Sequence, residues 1–236
     1  VEQYLALLSF GDTGWGDELL EGALVTLSVA IVTLPFGLAL GLVIALMNRS
    51  HSRIVRAIAV TYTTVFRGVP ELLTLYIIYF GAQILMQRAW SGLGFTGRLE
   101  FSPFFAGVVA LGLVLAAFSS EVWAGALNSI QKGQREAASA LGLTKRQAFR
   151  LVVFPQLMRV ALPGLGNNWM VLLKETSLVS VITLHDIMFI ATRANVSTKE
   201  PFLFFSAAAF LYLCIALVSA WGIGRMEART NRGYAR

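Results

Sequence analysis

The sequence predicts an all-α membrane protein with five transmembrane helices, and three observations carry that expectation. First, the 236 residues are 56% hydrophobic and only 14% charged, whereas a soluble domain carries about a quarter charged residues. Second, the runs 22–48, 101–120 and 201–224 contain no Asp, Glu, Lys or Arg, and roughly 20 apolar residues suffice to cross the hydrocarbon core. Third, the 19 Lys and Arg sort by side once the spans are drawn.

The spans follow in order. The first, 22–48, contains Pro35, which should kink or locally open the helix, and Gly37 and Gly41, whose spacing suits close helix contact. The second, 57–87, is apolar except for Arg67 and Glu71 and contains Pro70. The third covers 101–130 and carries Glu121 near its middle. The fourth, 160–184, is apolar except for Lys174 and Glu175, and the fifth covers 201–225. One transmembrane domain over 1–236 results, with its longest loop at 131–159. The first residues include Glu2 and no base, so no cleavable signal peptide is expected. The single cysteine, Cys214, lies in an apolar run, which excludes a disulfide framework and suggests a packing residue. His51 and His185 form no spacing suited to a metal.

Charge orients the bundle. Thirteen bases, from Arg49 to Arg236, fall on one side of the five spans. Arg88, Arg98, Arg193 and Lys199 fall on the other, and Arg67 and Lys174 lie within spans. The positive-inside rule then places the N-terminus outside and the C-terminus in the cytoplasm. Glu2, Asp12, Asp17, Glu18, Glu21, Glu100, Asp186 and Glu200 all fall outside. The net charge of +6 is thus a topology signal. Its bases are spread over short loops, so the lipid bilayer is the expected partner and nucleic acid is not.

The 131–159 loop interrupts this apolar chain with a soluble-looking stretch. Gln134 to Leu141 are good helix formers, and Gly142 supplies a stop. Thr144 and Gln147 then fit a capping box for a second short helix running to about Phe154 and stopping near Pro155. Two readings stay open from pattern alone: an amphipathic connector whose Lys145, Arg146 and Arg150 meet lipid headgroups, and a docking knob for a cytoplasmic protein.

Ionisable residues within spans cost roughly 2.5 to 3.5 kcal/mol each at a helix centre and usually face the interior of the bundle. Arg67 and Glu71 are four apart and suit a structural ion pair that pins a kinked segment, with Glu71 equally suited to substrate contact. Glu121 requires a charge from another helix, and Lys174 is the candidate. Lys174 and Glu175 are neighbours, about 100° apart on a helix, and Thr176 and Ser177 add hydroxyls for backbone or ligand. Glu71, Glu121, Lys174, Glu175, Thr176 and Ser177 are therefore the candidate pathway residues. Three acids against two bases favour a ligand with an extra positive charge.

The loop also carries a resemblance. Glu136, Ala137, Ala138, Gly142, Val152, Phe154 and Pro155 match the spacing of the EAA signature of ABC importer permeases, with Val152 and Phe154 replacing Ile and Leu. Residues 66–72, 130–134, 161–169 and 173–178 resemble polar amino acid permeases, and their R-G-V-P-E and G-N-N-W forms resemble the branch serving histidine, lysine, arginine, ornithine and opines such as octopine and nopaline. The resemblance implies a type I ABC importer permease fold and a bacterial inner-membrane location. It further implies docking of an ABC ATPase subunit dimer through Glu136, Ala137, Ala138, Gly142 and Leu143. A second permease subunit, homologous and non-identical, and a periplasmic substrate-binding protein complete the implied assembly. No phosphate-binding loop of the G-x-x-x-x-G-K-[ST] type occurs in the 236 residues. The chain is therefore expected to be a transporter subunit with no cofactor of its own. ATP and Mg would be bound, and ATP hydrolysed, by the partner. An ion-gradient-driven amino acid carrier and a membrane-anchored receptor remain as alternatives; neither needs the spaced loop signature.

Overall fold

The computed structural model describes residues 2–11, 14–97 and 100–231, without the side chains of Glu2, Gln3, Leu5 and Arg135. Asp12, Arg98, Arg232 and Arg236, which entered the charge reading, lie outside the described residues. Among the described residues there is no β-strand. The elements are α1 (Glu2–Leu7), α2 (Gly16–Asn48), α3 (Arg53–Gly68), α4 (Glu71–Gly92), α5 (Pro103–Ser129), α6 (Lys132–Ala140), α7 (Lys145–Ala148), a π-helical turn (Phe149–Val153), α8 (Phe154–Glu175), a 3-10 segment (Thr176–Ile182), α9 (Ile187–Thr198) and α10 (Pro201–Asn231). Five helical runs are long and apolar enough to cross a membrane: Gly16–Asn48, Glu71–Gly92, Pro103–Ser129, Lys145–Ile182 and Pro201–Asn231.

α5 is the centre of the bundle, and α2 packs most extensively against it. The reason lies in small residues. A Cβ on Gly37 would stand 2.5 Å from Leu115, and one on Gly41 would overlap the Ser119 hydroxyl and stand 2.8 Å from the Ala116 carbonyl. With hydrogen at both positions the backbones approach closely enough for Ser119 Oγ to donate to Gly37 O at 3.2 Å. Trp123 Nε1 donates to Leu38 O at 3.1 Å. α2 runs unbroken through Pro35. At the outer end expected for the bundle, Ile187, Ile190, Ala191 and Ala194 of α9 pack with Leu19, Ala23, Phe204 and Ala208, joining α2, α9 and α10.

Three sequence expectations need correction. The span 57–87 is two helices. α3 has 16 residues, about 24 Å at 1.5 Å per residue, and is shorter than the hydrocarbon core. It stops at Gly68, Val69 is extended with ψ 133°, and α4 begins at Glu71 after Pro70. Proline disfavours the helical conformation in the residue before it, and at Val69, which follows Gly68, that preference ends α3. Second, Pro155 does not end the loop helix. α7 passes through the π-helical turn directly into α8, where Pro155 occupies the first turn and lacks only an amide that helix starts leave free. The fourth apolar run thus begins at Lys145, ahead of the expected 160. Third, Cys214 is exposed on α10 and packs into no core cluster.

Candidate functional site

Two regions hold the candidate residues. The first surrounds the break between α3 and α4. Arg67 stands in the last turn of α3 and Glu71 in the first turn of α4. A base at a helix C-terminus and an acid at a helix N-terminus each complement the local dipole. The break also undoes the expected Arg67–Glu71 pair, because the i,i+4 geometry it required exists only in a continuous helix. Arg67 Nη1 instead contacts Glu121 Oε1 of α5 at 3.1 Å, with the two side chains 45% and 53% exposed. Lys174, expected to meet Glu121, does not. The Arg67 guanidinium also lies over the Phe118 ring, 5.7 Å from its centroid.

Phe118 continues this charged surface into a cavity of about 180 Å³ between α5 and α8, lined by Leu115, Phe118, Asn167, Asn168, Val171 and Glu175. Glu175 is half-buried at the last residue of α8, and the charges that act on it are those of Glu71 and Lys174. Among the described residues neither Glu71 nor Glu175 has an ion-pair partner. Asn168 Nδ2 is buried there without a hydrogen-bond partner. Such a donor is costly to leave unmatched, and functional sites are where such costs are tolerated.

The neighbouring hydroxyls are already committed. Thr176 is fully buried and donates to Leu173 O at 2.7 Å. Ser177 donates to Lys174 O at 2.7 Å. Both close carbonyls of the preceding turn, so Thr176 does not line the cavity, contrary to the sequence reading. Phe118 was not singled out from the sequence, and Asn167 and Asn168 entered only through the G-N-N-W resemblance, although two amides inside an apolar span were a signal of the same kind as the charges.

The second region is the loop. α6 ends at Ala140, and two residues on Gly142 has a φ of +76°, the left-handed conformation that favours glycine. Leu143 N then donates to Ala138 O at 3.1 Å, a helix-closing bond of the Schellman kind. Thr144 forms the capping box, its amide donating to Gln147 Oε1 at 2.9 Å and its hydroxyl accepting from Gln147 N at 3.4 Å. Glu136, Ala137 and Gly142 are exposed and Leu143 is half-buried. Ala138 is buried with Ala148 and Val153, so it holds the loop together and presents nothing to a partner. Leu141, which the sequence reading passed over, is 81% exposed beside the glycine.

A third feature was counted in the sequence only as an outer acid. Asp186 is fully buried and N-caps α9, accepting from Phe189 N at 2.9 Å and from the Tyr212 hydroxyl at 3.5 Å. Burial pushes its carboxyl up to about 6, against the opposing pull of the Phe189 and Met188 amides and Tyr212.

A broken helix with charged ends, a cavity lined by one carboxylate and a capped loop together make up the candidate site. Residues 37–232 match the family of binding-protein-dependent transport system inner membrane components. The chain belongs to that family. It is 40% identical over 233 residues to the octopine transport system permease protein of Rhizobium meliloti, covering 99% of this chain and 98% of that protein. It is 39% identical over 223 residues to the histidine/lysine/arginine/ornithine transport system permease protein of Escherichia coli, covering 94% and 97%. Among solved structures, a chain of an amino acid ABC transporter crystallised with histidines matches with a TM-score of 0.75 and 30% identity, over 91% of this chain and 95% of that one. The inward facing methionine transporter MetNI matches at a TM-score of 0.70 and 19% identity, over 91% and 96%, and shares the fold. This permease is therefore a multi-pass inner-membrane subunit of an ABC importer and not an enzyme, and ATP hydrolysis belongs to a separate subunit. The ion-gradient carrier finds no support among these relatives.

Proposed function

We propose that this permease carries cationic amino acids or opines inward by alternating access, with the α5–α8 cavity as the part of the pathway that receives the cationic group. The observation that carries this reading is Glu175, the one carboxylate lining the cavity, which has no ion-pair partner among the described residues. Glu121 is matched by Arg67, while Glu175 feels the like charge of Glu71 and the opposite charge of Lys174. A guanidinium or ammonium supplies the missing positive charge, and Phe118 offers it a ring face. The relatives transporting octopine and histidine, lysine, arginine and ornithine, by their names, fit that chemistry. The N-terminus is outside and the C-terminus cytoplasmic, as the distribution of bases requires. A periplasmic binding protein delivers substrate to the outer face, and a second, homologous permease chain closes the open side of the cavity. ATP and Mg act in the paired ATPase subunits, which dock at Glu136, Ala137, Gly142, Leu141 and Leu143. The exposed Leu141 side chain is the apolar anchor of that contact.

Arginine-stimulated ATPase of the assembled transporter tests the cavity. Glu175→Gln should lower stimulation about tenfold, the worth of one charge-assisted hydrogen bond; wild-type stimulation in both Glu175→Gln and Glu121→Gln would sink the reading. Gly142→Asp tests the loop, and it should abolish co-purification of the ATPase subunits while leaving the permease in the membrane.

A further inference from the structure

A groove of about 410 Å³ lies between α2, α8 and α10, lined mainly by Leu34, Leu38, Met158, Leu165, Trp169 and Met226. Its size falls in the range of ligand sites, and its position separates it from the transport cavity. Gly166 belongs to the groove and Asn168 to the cavity. Two residues on a helix are about 200° apart, so the two openings lie on opposite faces of α8. The face carrying charges suits a polar path between subunits. The groove face continues into the exposed apolar side chains Leu217, Val218 and Trp221 of α10, as a surface turned to lipid does.

The groove runs toward the C-terminal end of α10, and there its chemistry changes sign. Gly222, Arg225, Met226 and Arg229 follow the i, i+3, i+4, i+7 spacing of a single helical stripe, so both arginines rise beside the groove's own lining residues. Arg225 lies over the Trp221 ring, 3.9 Å from its centroid. Arg159 of α8 donates from Nε to Asn231 Oδ1 of α10 at 2.9 Å, which ties the two helices at this end and adds a third positive charge. An apolar slot ending in three guanidinium groups has the complementarity of a single amphiphile. We propose that the groove holds an acyl chain of an anionic phospholipid, with its phosphate received by Arg225 and Arg229. The site is independent of which solute is carried.

Native mass spectrometry of the assembled transporter, loaded with dioleoylphosphatidylglycerol or dioleoylphosphatidylcholine, tests this. The wild type should retain the anionic lipid about 25-fold better, and the double variant Arg225→Gln/Arg229→Gln should lose that preference, each base near the surface being worth about fivefold. A Cβ on Gly222 meets no atom within 4 Å, so a side chain can start there, and the ring of Gly222→Phe should compete for the groove and lower retention of both lipids. Basal ATPase activity equal to wild type in these variants shows that assembly is intact. Equal retention of the two lipids by wild type, or unchanged preference in the double variant, overturns the proposal. Loss of permease pairing in Gly222→Phe also overturns it, by making the groove a protein interface. If Gly222→Phe fails to assemble, the double variant decides.

Discussion

On the face of α5 that meets α2, Ser119 and Trp123 send their donors into carbonyls of the neighbouring helix at 3.2 and 3.1 Å. On the face that meets α8, Glu121 is half exposed and paired with Arg67 from α3, and Asn168 across the cavity has a buried donor with no partner. One helix therefore carries a closed side and an open side. Closure comes from Gly37 and Gly41, which let two backbones come near enough for side chains to bond them. Openness comes from acids and amides that no neighbouring backbone can satisfy. The first side folds the protein, and the second leaves it able to bind.

Gly41→Leu should break this contrast most strongly. Its side chain would enter space held by Ser119 and the Ala116 carbonyl, costing about 3 kcal/mol and lowering the apparent Tm by roughly 6–12 °C. An unchanged melting temperature would mean that the α2–α5 seam is loose and the closed side is not closed.

Asp186 extends the comparison beyond α5, because it is a buried carboxyl at the start of α9 whose bonds, like those of the seam, close within the chain. Its folded value of about 6 lies above the ordinary 3.8, so the protonated form is favoured by folding. The stability this gives is fully present below about pH 3.8 and lost as pH rises through about 6, an effect on the order of 2 kcal/mol. Thermal unfolding followed from about pH 4 to about pH 7 should show this loss in wild type and not in Asp186→Asn, which keeps a capping side chain. Identical profiles would remove Asp186 from the comparison.

The smallest effect belongs to the open side. Arg67 and Glu121 are each about half exposed, so solvent screens their attraction. A double-mutant cycle with Arg67→Gln and Glu121→Gln should give a coupling below about 1 kcal/mol in stability. A coupling of several kcal/mol would show that the pair is a structural lock and that the open side is no more available than the seam.

The closed side was the more legible of the two in the sequence. Gly37 and Gly41 announce a close approach by spacing alone, and charge-free runs announce the helices. The capping box at Thr144 and the turn at Gly142 are equally local, since each depends on residues three or four apart. What the sequence hid was non-local. Pro70 marked a break, yet nothing near it could reveal that Arg67 would turn to a residue on α5. Thr176 looked available because its burial depends on how the 3-10 segment packs. Pro155 reads as a stop by its own chemistry, and only the wider π-helical turn before it explains why the helix goes on.

That turn has a mechanical consequence. From Lys145 to Ile182 the chain is one helical run of 38 residues, with the capped loop at one end and Glu175 near the other. A stiff rod has no way to move one end alone, so a pull on the loop arrives at the carboxylate as tilt or axial travel of the whole piece. The five π-helical residues Phe149–Val153 are the departure from α-helical geometry that lies between the loop and Glu175, and they set how much of such a movement is lost to bending before it arrives.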